Sequence, residues 1–200
     1  MSRSAHSAAV GHFITTAAAA YRATGIAAAI SVARMLEDHA GGSYLKNPTQ
    51  PPATRHLDAV LDAADLHTVA QALGPAIKDL GWTEGELPMP ASFQGRYAYV
   101  TVVGAGTEAP DDRFYFGLYL QAPHTYYPSH WHRAEELYYV LSGTASWQRG
   151  SGALTPKPTG SLIHHAPDEP HVMETHGKPL LAMWAWIGDL RPGSYRIVDR

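Results

Sequence analysis

The side chains able to do chemistry lie in the stretch Tyr127-Pro-Ser-His-Trp-His-Arg-Ala-Glu-Glu-Leu-Tyr-Tyr-Val-Leu-Ser-Gly143. In an extended chain, side chains alternate between two faces, so residues of equal parity share one. Read as one continuous strand without a bulge, the stretch points His130, His132, Glu136 and Tyr138 the same way. Leu137, Tyr139 and Leu141 then point the other way and pack elsewhere. Two imidazoles in a His-x-His pair on a strand lie about 6.5–7 Å apart at Cα, a chelating separation. With a carboxylate further along the same face, they form a nitrogen and oxygen donor set. Such a set suits divalent zinc, iron, nickel or manganese, bound at about 2.0–2.2 Å. Tyr138 stands one strand step beyond the carboxylate and is the candidate acid/base group.

A fourth ligand has to come from elsewhere, and His171 is the best placed. It follows the proline-flanked turn Ala166-Pro-Asp-Glu-Pro170 and opens an apolar run, where a side chain is held rigidly. More histidines fall between His124 and His176 than in all of the preceding chain, which concentrates metal chemistry in the second half. One of His164 and His165 is expected to face inward, and neither occupies a motif position. His6, His12, His39, His56 and His67 read as ordinary polar residues of the first half, and His124 and His176 as surface or rim.

Two different periods supply the elements that position these residues. Before residue 90 alanine dominates, and alanine is the strongest helix former. The spacing predicts helices over 4–23 and 25–37, broken near Thr24-Gly25, with Gly41-Gly42 as a stop and Pro48, Pro51 and Pro52 in a loop. Two more are predicted over 55–63 and 65–80, the last capped by Asp65 and bent or interrupted at Pro75. The linker Glu86-Leu-Pro-Met-Pro-Ala91 leads out of this region. From about Arg96 the period becomes two, and strands are predicted over 97–103, 113–120, 136–141, 145–149, 161–165, 171–175 and 180–187. Many short strands at fairly even spacing imply a closed jelly-roll barrel. The expected plan is mainly β: a helical segment, residues 1–90, packed on the barrel or on a partner subunit, and a barrel with a metal site, residues 91–200.

The totals close off other classes. The chain has 200 residues, 45% apolar and 16% charged, ordinary for a globular protein with a core. A net charge of -3 leaves no electrostatic footprint for nucleic acid, and no basic run points to a membrane surface. No apolar run nears the roughly 20 residues that span a bilayer. The alanine-rich start reads as a helix rather than a secretory signal, because His12 and Thr15-Thr16 interrupt it. With no cysteine there is no disulfide, thiolate ligand or thiol nucleophile, which suits the cytoplasm.

His130-x-His132-x3-Glu136-x6-Gly143 resembles the first cupin motif without gap or substitution. The second motif is partly met: Gly160 and His171 are present, Asp168 stands where an internal turn glycine would be, and Thr175 where a structural asparagine would be. More narrowly, the stretch from Tyr127 to Gly143 looks like the bacterial cupin-type dimethylsulfoniopropionate (DMSP) lyases. Trp147 after the Ser-Gly turn and Trp184-Ala-Trp-Ile-Gly-Asp-Leu190 extend that likeness.

What the resemblance implies is a cupin barrel with an N-terminal helical segment, and a β-elimination of DMSP to dimethyl sulfide and acrylate. The family's ligands carry over onto His130, His132, Glu136 and His171, its catalytic tyrosine onto Tyr138 and a second tyrosine onto Tyr127. The implied cofactor is one divalent transition metal, Fe2+ or Zn2+ first and Mn2+, Ni2+ or Co2+ after them. The implied partner is a small carboxylate, with homodimerisation common among cupins. The substrate's sulfonium is a fixed cation that aromatic faces attract, so Trp184, Trp186, Tyr195 and Tyr127 are the candidate pocket residues. The same ligand shell also serves an iron-dependent dioxygenase or an isomerase, and a non-catalytic binding cupin is the remaining alternative.

Overall fold

The structure, a computed structural model, describes residues 1–42, 44, 49–85, 87 and 89–198. Pro48 of the expected proline loop, and Glu86 and Pro88 of the expected linker, lie outside the described residues.

Helix α1 spans Arg3–Ala23, where Ser2 Oγ caps it by accepting from the Ala5 amide at 3.2 Å. Its buried residues Val10, Phe13, Ile14, Ala17 and Tyr21 recur at three- and four-residue intervals and make one apolar stripe. The helix ends at Thr24, and Gly25 takes φ +71°, so α2 begins only at Ala27 and runs Ala27–Glu37. It stops ahead of the expected Gly41-Gly42.

The next two helices are shorter than the periodicity predicts. Residues Pro52–His56 form a 3-10 turn that leads into α3, Leu57–Leu61. Helix α4 is only Thr68–Leu73, because Gly74 leaves helical geometry at φ +49° and Pro75 lies in a 3-10 turn, Gly74–Asp79. Asp65 does not cap α4. His67 does, its Nδ1 accepting from the Val69 amide at 3.2 Å. The Asp65 carboxylate instead accepts from the Gly143 amide and the Thr159 hydroxyl, tying this segment to the barrel.

Among the described residues ten strands follow: β1 Tyr97–Val103, β2 Phe114–Gln121, β3 Thr125–Trp131, β4 Ala134–Ser142, β5 Thr144–Arg149, β6 Thr155–Pro158, β7 Leu162–His165, β8 His171–Thr175, β9 Leu180–Gly188 and β10 Arg196–Ile197. They make two antiparallel five-stranded sheets, in the orders β1-β2-β9-β4-β7 and β10-β3-β8-β5-β6. Strands β3, β6 and β10 escape the alternation signal.

The motif stretch is therefore not one continuous strand. His130 lies on β3 in the second sheet, Glu136 on β4 in the first, and His132 on the connection between them. The register of β3 against β8 also shifts between Tyr127 and His130. Within β4 the parity rule holds. Leu137, Tyr139 and Leu141 face a core shared with the helices, while Tyr138 and Val140 face the barrel interior.

The helical layer lies on the outer face of the first sheet. Phe13 stacks on Phe116 of β2 at 5.5 Å, and Tyr21 meets Tyr139 of β4 edge-on at 6.0 Å. None of the described helices is long and apolar enough to cross a membrane.

Phe13 is fully buried at this helix–sheet contact. Phe13→Ala should cost about 3–5 kcal/mol of stability by lost burial and a residual cavity, read as a lower urea midpoint with an unchanged slope.

Candidate active site

The site forms where the two sheets meet. His130 arrives on β3, His132 on the β3–β4 connection, Glu136 on β4 and His171 at the start of β8. All four side chains are buried. Ligand atoms of His130, Glu136 and His171 lie within 4.8 Å of one another. His132 joins through the same carboxylate, with its Nε2 3.2 Å from Glu136 Oε2, and His171 Nε2 is 3.1 Å from that oxygen.

Backbone carbonyls orient the three imidazoles. His130 Nδ1–H donates to the Pro128 carbonyl at 2.8 Å, His132 Nδ1–H to Ala134 at 3.0 Å and His171 Nδ1–H to Glu169 at 2.9 Å. Each bond commits Nδ1–H to the backbone and turns Nε2 toward the cluster, where it can serve as a metal ligand when it carries no proton. Two neutral Nε2 lone pairs facing one carboxylate oxygen repel each other. Either a proton on each or one divalent cation completes the arrangement, so the residues present fit a metal ion.

The electrostatics agree. Burial pushes the Glu136 carboxyl up, but its electrostatic and hydrogen-bonding interactions with His132 and His171 outweigh that and hold the group well below the usual carboxylate range. Burial, and then the neighbouring His171, hold His130 well below its ordinary value. Trp186 Nε1 donates to Glu136 Oε1 at 2.6 Å, which leaves Oε2 to face the histidines.

The second motif's departures have local explanations. Asp168 takes φ +59°, a left-handed conformation that aspartate tolerates better than most residues, and its amide donates to the His132 carbonyl at 2.8 Å. Thr175 Oγ1 accepts from the Thr125 amide and donates to the Ala122 carbonyl, bracing the β2–β3 turn.

A cavity of about 380 Å³ opens onto Glu136, and Tyr127, Tyr138, Trp184, Trp186 and Tyr195 all line it. Tyr97, Tyr99, Tyr115 and Tyr119 complete an aromatic wall. These four were not singled out from the sequence, although their equal parity on β1 and β2 carries the signal. Among the described lining residues Arg191 is the only cation, and Asp189 engages its guanidinium at 2.5 and 2.8 Å.

Tyr138 lies against Tyr119 and Trp147, with ring centroids 5.8 and 5.9 Å away. Burial first, then the Glu136 charge, push its phenol well above the ordinary range. Tyr127 stacks on His130 at 3.9 Å, and its hydroxyl lies 2.5 Å from that of Tyr195. Trp184 is partly structural, donating from Nε1 to the Leu118 carbonyl at 3.1 Å. Of the adjacent histidines His165 is the inward one, lying parallel to His171 at 3.9 Å. His164 pairs outside with Glu135 at 2.6 Å. Among the first-half histidines, His6 is fully buried and His39 pairs with Asp111 at 3.0 Å.

The family pattern described as dimethylsulfoniopropionate lyase matches residues 26–182. DddL of Cereibacter sphaeroides, provisionally named a dimethylsulfoniopropionate lyase, is 32% identical over 146 residues, 70% of this chain and 61% of that protein. The dimethylsulfoniopropionate lyase DddQ of Ruegeria pomeroyi is 33% identical over 101 residues, 50% of each chain. The chain thus spans 61% and 50% of the lengths of these relatives. The crystal structure of DMSP lyase DddQ from Ruegeria pomeroyi DSS-3 superposes with a TM-score of 0.61 at 26% identity, covering 78% of this chain and 82% of that one. A crystal structure described with the DMSP lyases RdDddP and RnDddQII gives 0.63 at 20% identity over 78% and 81%, a likeness of fold.

The buried imidazoles make stability depend on pH. Burial also drives His165 down to about 2, so neither it nor His130 takes up the proton that an unfolded histidine binds below about 6.5. The metal-free protein should therefore be most stable above that pH and lose stability as pH falls below it, by about 1.4 kcal/mol per unit for each such group. Urea titrations across pH measure this, and His165→Phe should lower the slope by close to one proton.

Proposed function

We propose that this chain, which belongs to the dimethylsulfoniopropionate lyase family, is a metal-dependent lyase that splits DMSP into dimethyl sulfide and acrylate. The observation that carries the reading is the joining of two features in one cavity. The cavity opens onto Glu136, the carboxylate of the buried His/Glu cluster, and a wall of tyrosines and tryptophans lines the rest of it.

His130, His132, Glu136 and His171 would hold the ion, Fe2+ or Zn2+ in first place, with Mn2+, Ni2+ or Co2+ also compatible with such a shell. Bound there, a divalent ion supplies Lewis acidity toward the substrate carboxylate and stabilises charge that develops next to it. Every other function falls to the chain's own groups.

Tyr138 is the base in this reading, as the tyrosine that shares the inward face of β4 with Glu136. In the metal-free protein the negative charge of Glu136 is one of the two main causes keeping Tyr138 protonated. Neutralising that carboxylate removes the cause and moves the phenol back toward phenolate. Tyr138 then takes the proton from the carbon next to the carboxylate, a double bond forms, and the carbon–sulfur bond breaks to release neutral dimethyl sulfide.

Tyr127 and Tyr195 form a hydroxyl pair on the opposite wall and orient the substrate. Trp184, Trp186 and their neighbours present aromatic faces to the sulfonium, each worth about 0.5–2 kcal/mol. Trp186 has a second task, since its indole N–H fixes the Glu136 carboxylate. The protein works in the cytoplasm on a small zwitterionic carboxylate, in this account.

The test is headspace dimethyl sulfide from metal-loaded protein given DMSP. Tyr138→Phe should retain metal and lose most turnover, by about 100-fold or more as general-base removal does. His132→Ala should instead lose metal together with activity. Absence of dimethyl sulfide from the loaded wild-type protein would refute the lyase reading, and near-full turnover by Tyr138→Phe would refute the assignment of the base.

A further inference from the structure

We infer that His165 is a positioning residue that holds the plane of His171, with Glu169 fixing the turn from which His171 projects. This rests on the reading of His171 as a metal ligand. It concerns residues that lie outside the cluster and do not line the cavity.

The geometry is a support built across the two sheets. His165 ends β7, where it pairs with Glu136 of β4 in the first sheet, and His171 opens β8 in the second. Their rings are 3.9 Å apart and inclined by only 12°, a parallel stack. His130 meets His171 edge-on, at 4.0 Å and 64°. The ring of His171 is thus held between an edge and a flat face. A ligand ring free to tilt about χ2 would move its Nε2 away from Glu136, and the stack opposes that tilt.

Hydrogen bonding does not account for His165. It is fully buried, and neither ring nitrogen has a hydrogen-bond partner among the described residues. Its Nδ1 stands 3.5 Å from Glu169 Oε2, longer than a well-formed bond. Buried polar atoms are normally satisfied, so what the side chain offers at this place is its flat face.

Glu169 completes the support. Its main-chain carbonyl receives His171 Nδ1–H at 2.9 Å. Its carboxylate accepts from the Ala166 amide at 3.1 Å and from Arg149 Nε at 3.1 Å, while its amide donates to the Ala166 carbonyl at 3.1 Å. The turn over 166–169 is closed from both ends, so the carbonyl that sets the His171 tautomer is fixed in space. Groups of this kind, one step removed from a metal, tune affinity by roughly 10–100-fold.

The experiment uses the full chain as wild type, His165→Ala, His165→Phe, Glu169→Ala and His164→Ala. Each is stripped of metal and titrated with Co2+ against a competing chelator, and the visible ligand-field spectrum is recorded. Thermal melts of the metal-free proteins establish that each is folded. His165→Ala and Glu169→Ala should weaken Co2+ binding by roughly 10-fold or more and shift the ligand-field bands. His165→Phe should restore both affinity and spectrum, because a flat ring returns without its nitrogens, and His164→Ala should change neither. Wild-type affinity and spectrum in His165→Ala would overturn the inference. So would a His165→Phe protein as weak as His165→Ala, which would make a ring nitrogen the acting group. A wild-type protein that takes up no Co2+ would overturn the metal-site reading itself, and this inference with it.

Discussion

Three hydrogen bonds from imidazole Nδ1–H to main-chain carbonyls determine what this barrel can do. Pro128, Ala134 and Glu169 each supply the accepting carbonyl, so the tautomers of His130, His132 and His171 are written into the backbone. Once Nδ1 is committed, each Nε2 is left as a donor atom, and those of His132 and His171 lie within 3.2 Å of the Glu136 carboxylate. Because backbone rather than flexible side chains sets the rings, the strands that carry those carbonyls must be held in register. The rest of the fold does that.

The two sheets contribute unequally. The second brings His130 and His171 on neighbouring antiparallel strands, paired opposite each other in the ladder. The first brings Glu136, with Trp186 opposite it on β9 to pin one carboxylate oxygen. Helix α1 packs on the outer face of the first sheet through Phe13 and Tyr21, so β2, β4 and most of β9 are buried on both faces. The tight burial that fixes the carboxylate also desolvates Tyr138, which makes the state of that phenol depend on the charge beside it.

Much of this is legible in the chain, for reasons that can be named. The runs Tyr97–Val103 and His171–Thr175 mark their strands to the residue because turn formers bound them, Gly95 and Gly104 around the first and Pro170 and Gly177 around the second. Strand β3 is harder to see because Pro128 and His130 interrupt its apolar pattern, and β6 because Pro156 and Pro158 sit on an exposed edge. Reading the motif as one strand brings the right side chains together for an incomplete reason. They converge because β3 and β4 belong to opposite sheets and fold toward each other around His132. Helix lengths are overestimated wherever a terminator such as Gly74 is outweighed by the alanine and leucine around it. The parallel stack of His165 on His171 has no local signal, since it joins residues of different sheets.

The central claim is that the three histidines carry their protons on Nδ1 and offer Nε2 to a metal beside Glu136. Long-range nitrogen–proton correlation spectra of the histidine rings, recorded above pH 7 on metal-free and Zn2+-loaded protein, test it most directly. His130 in the metal-free protein should be the Nδ1–H tautomer. In the loaded protein all three rings should be Nδ1–H, with their Nε2 resonances moved by the ion. Rings protonated on Nε2 in the loaded protein, or Nε2 resonances that ignore Zn2+, would contradict it.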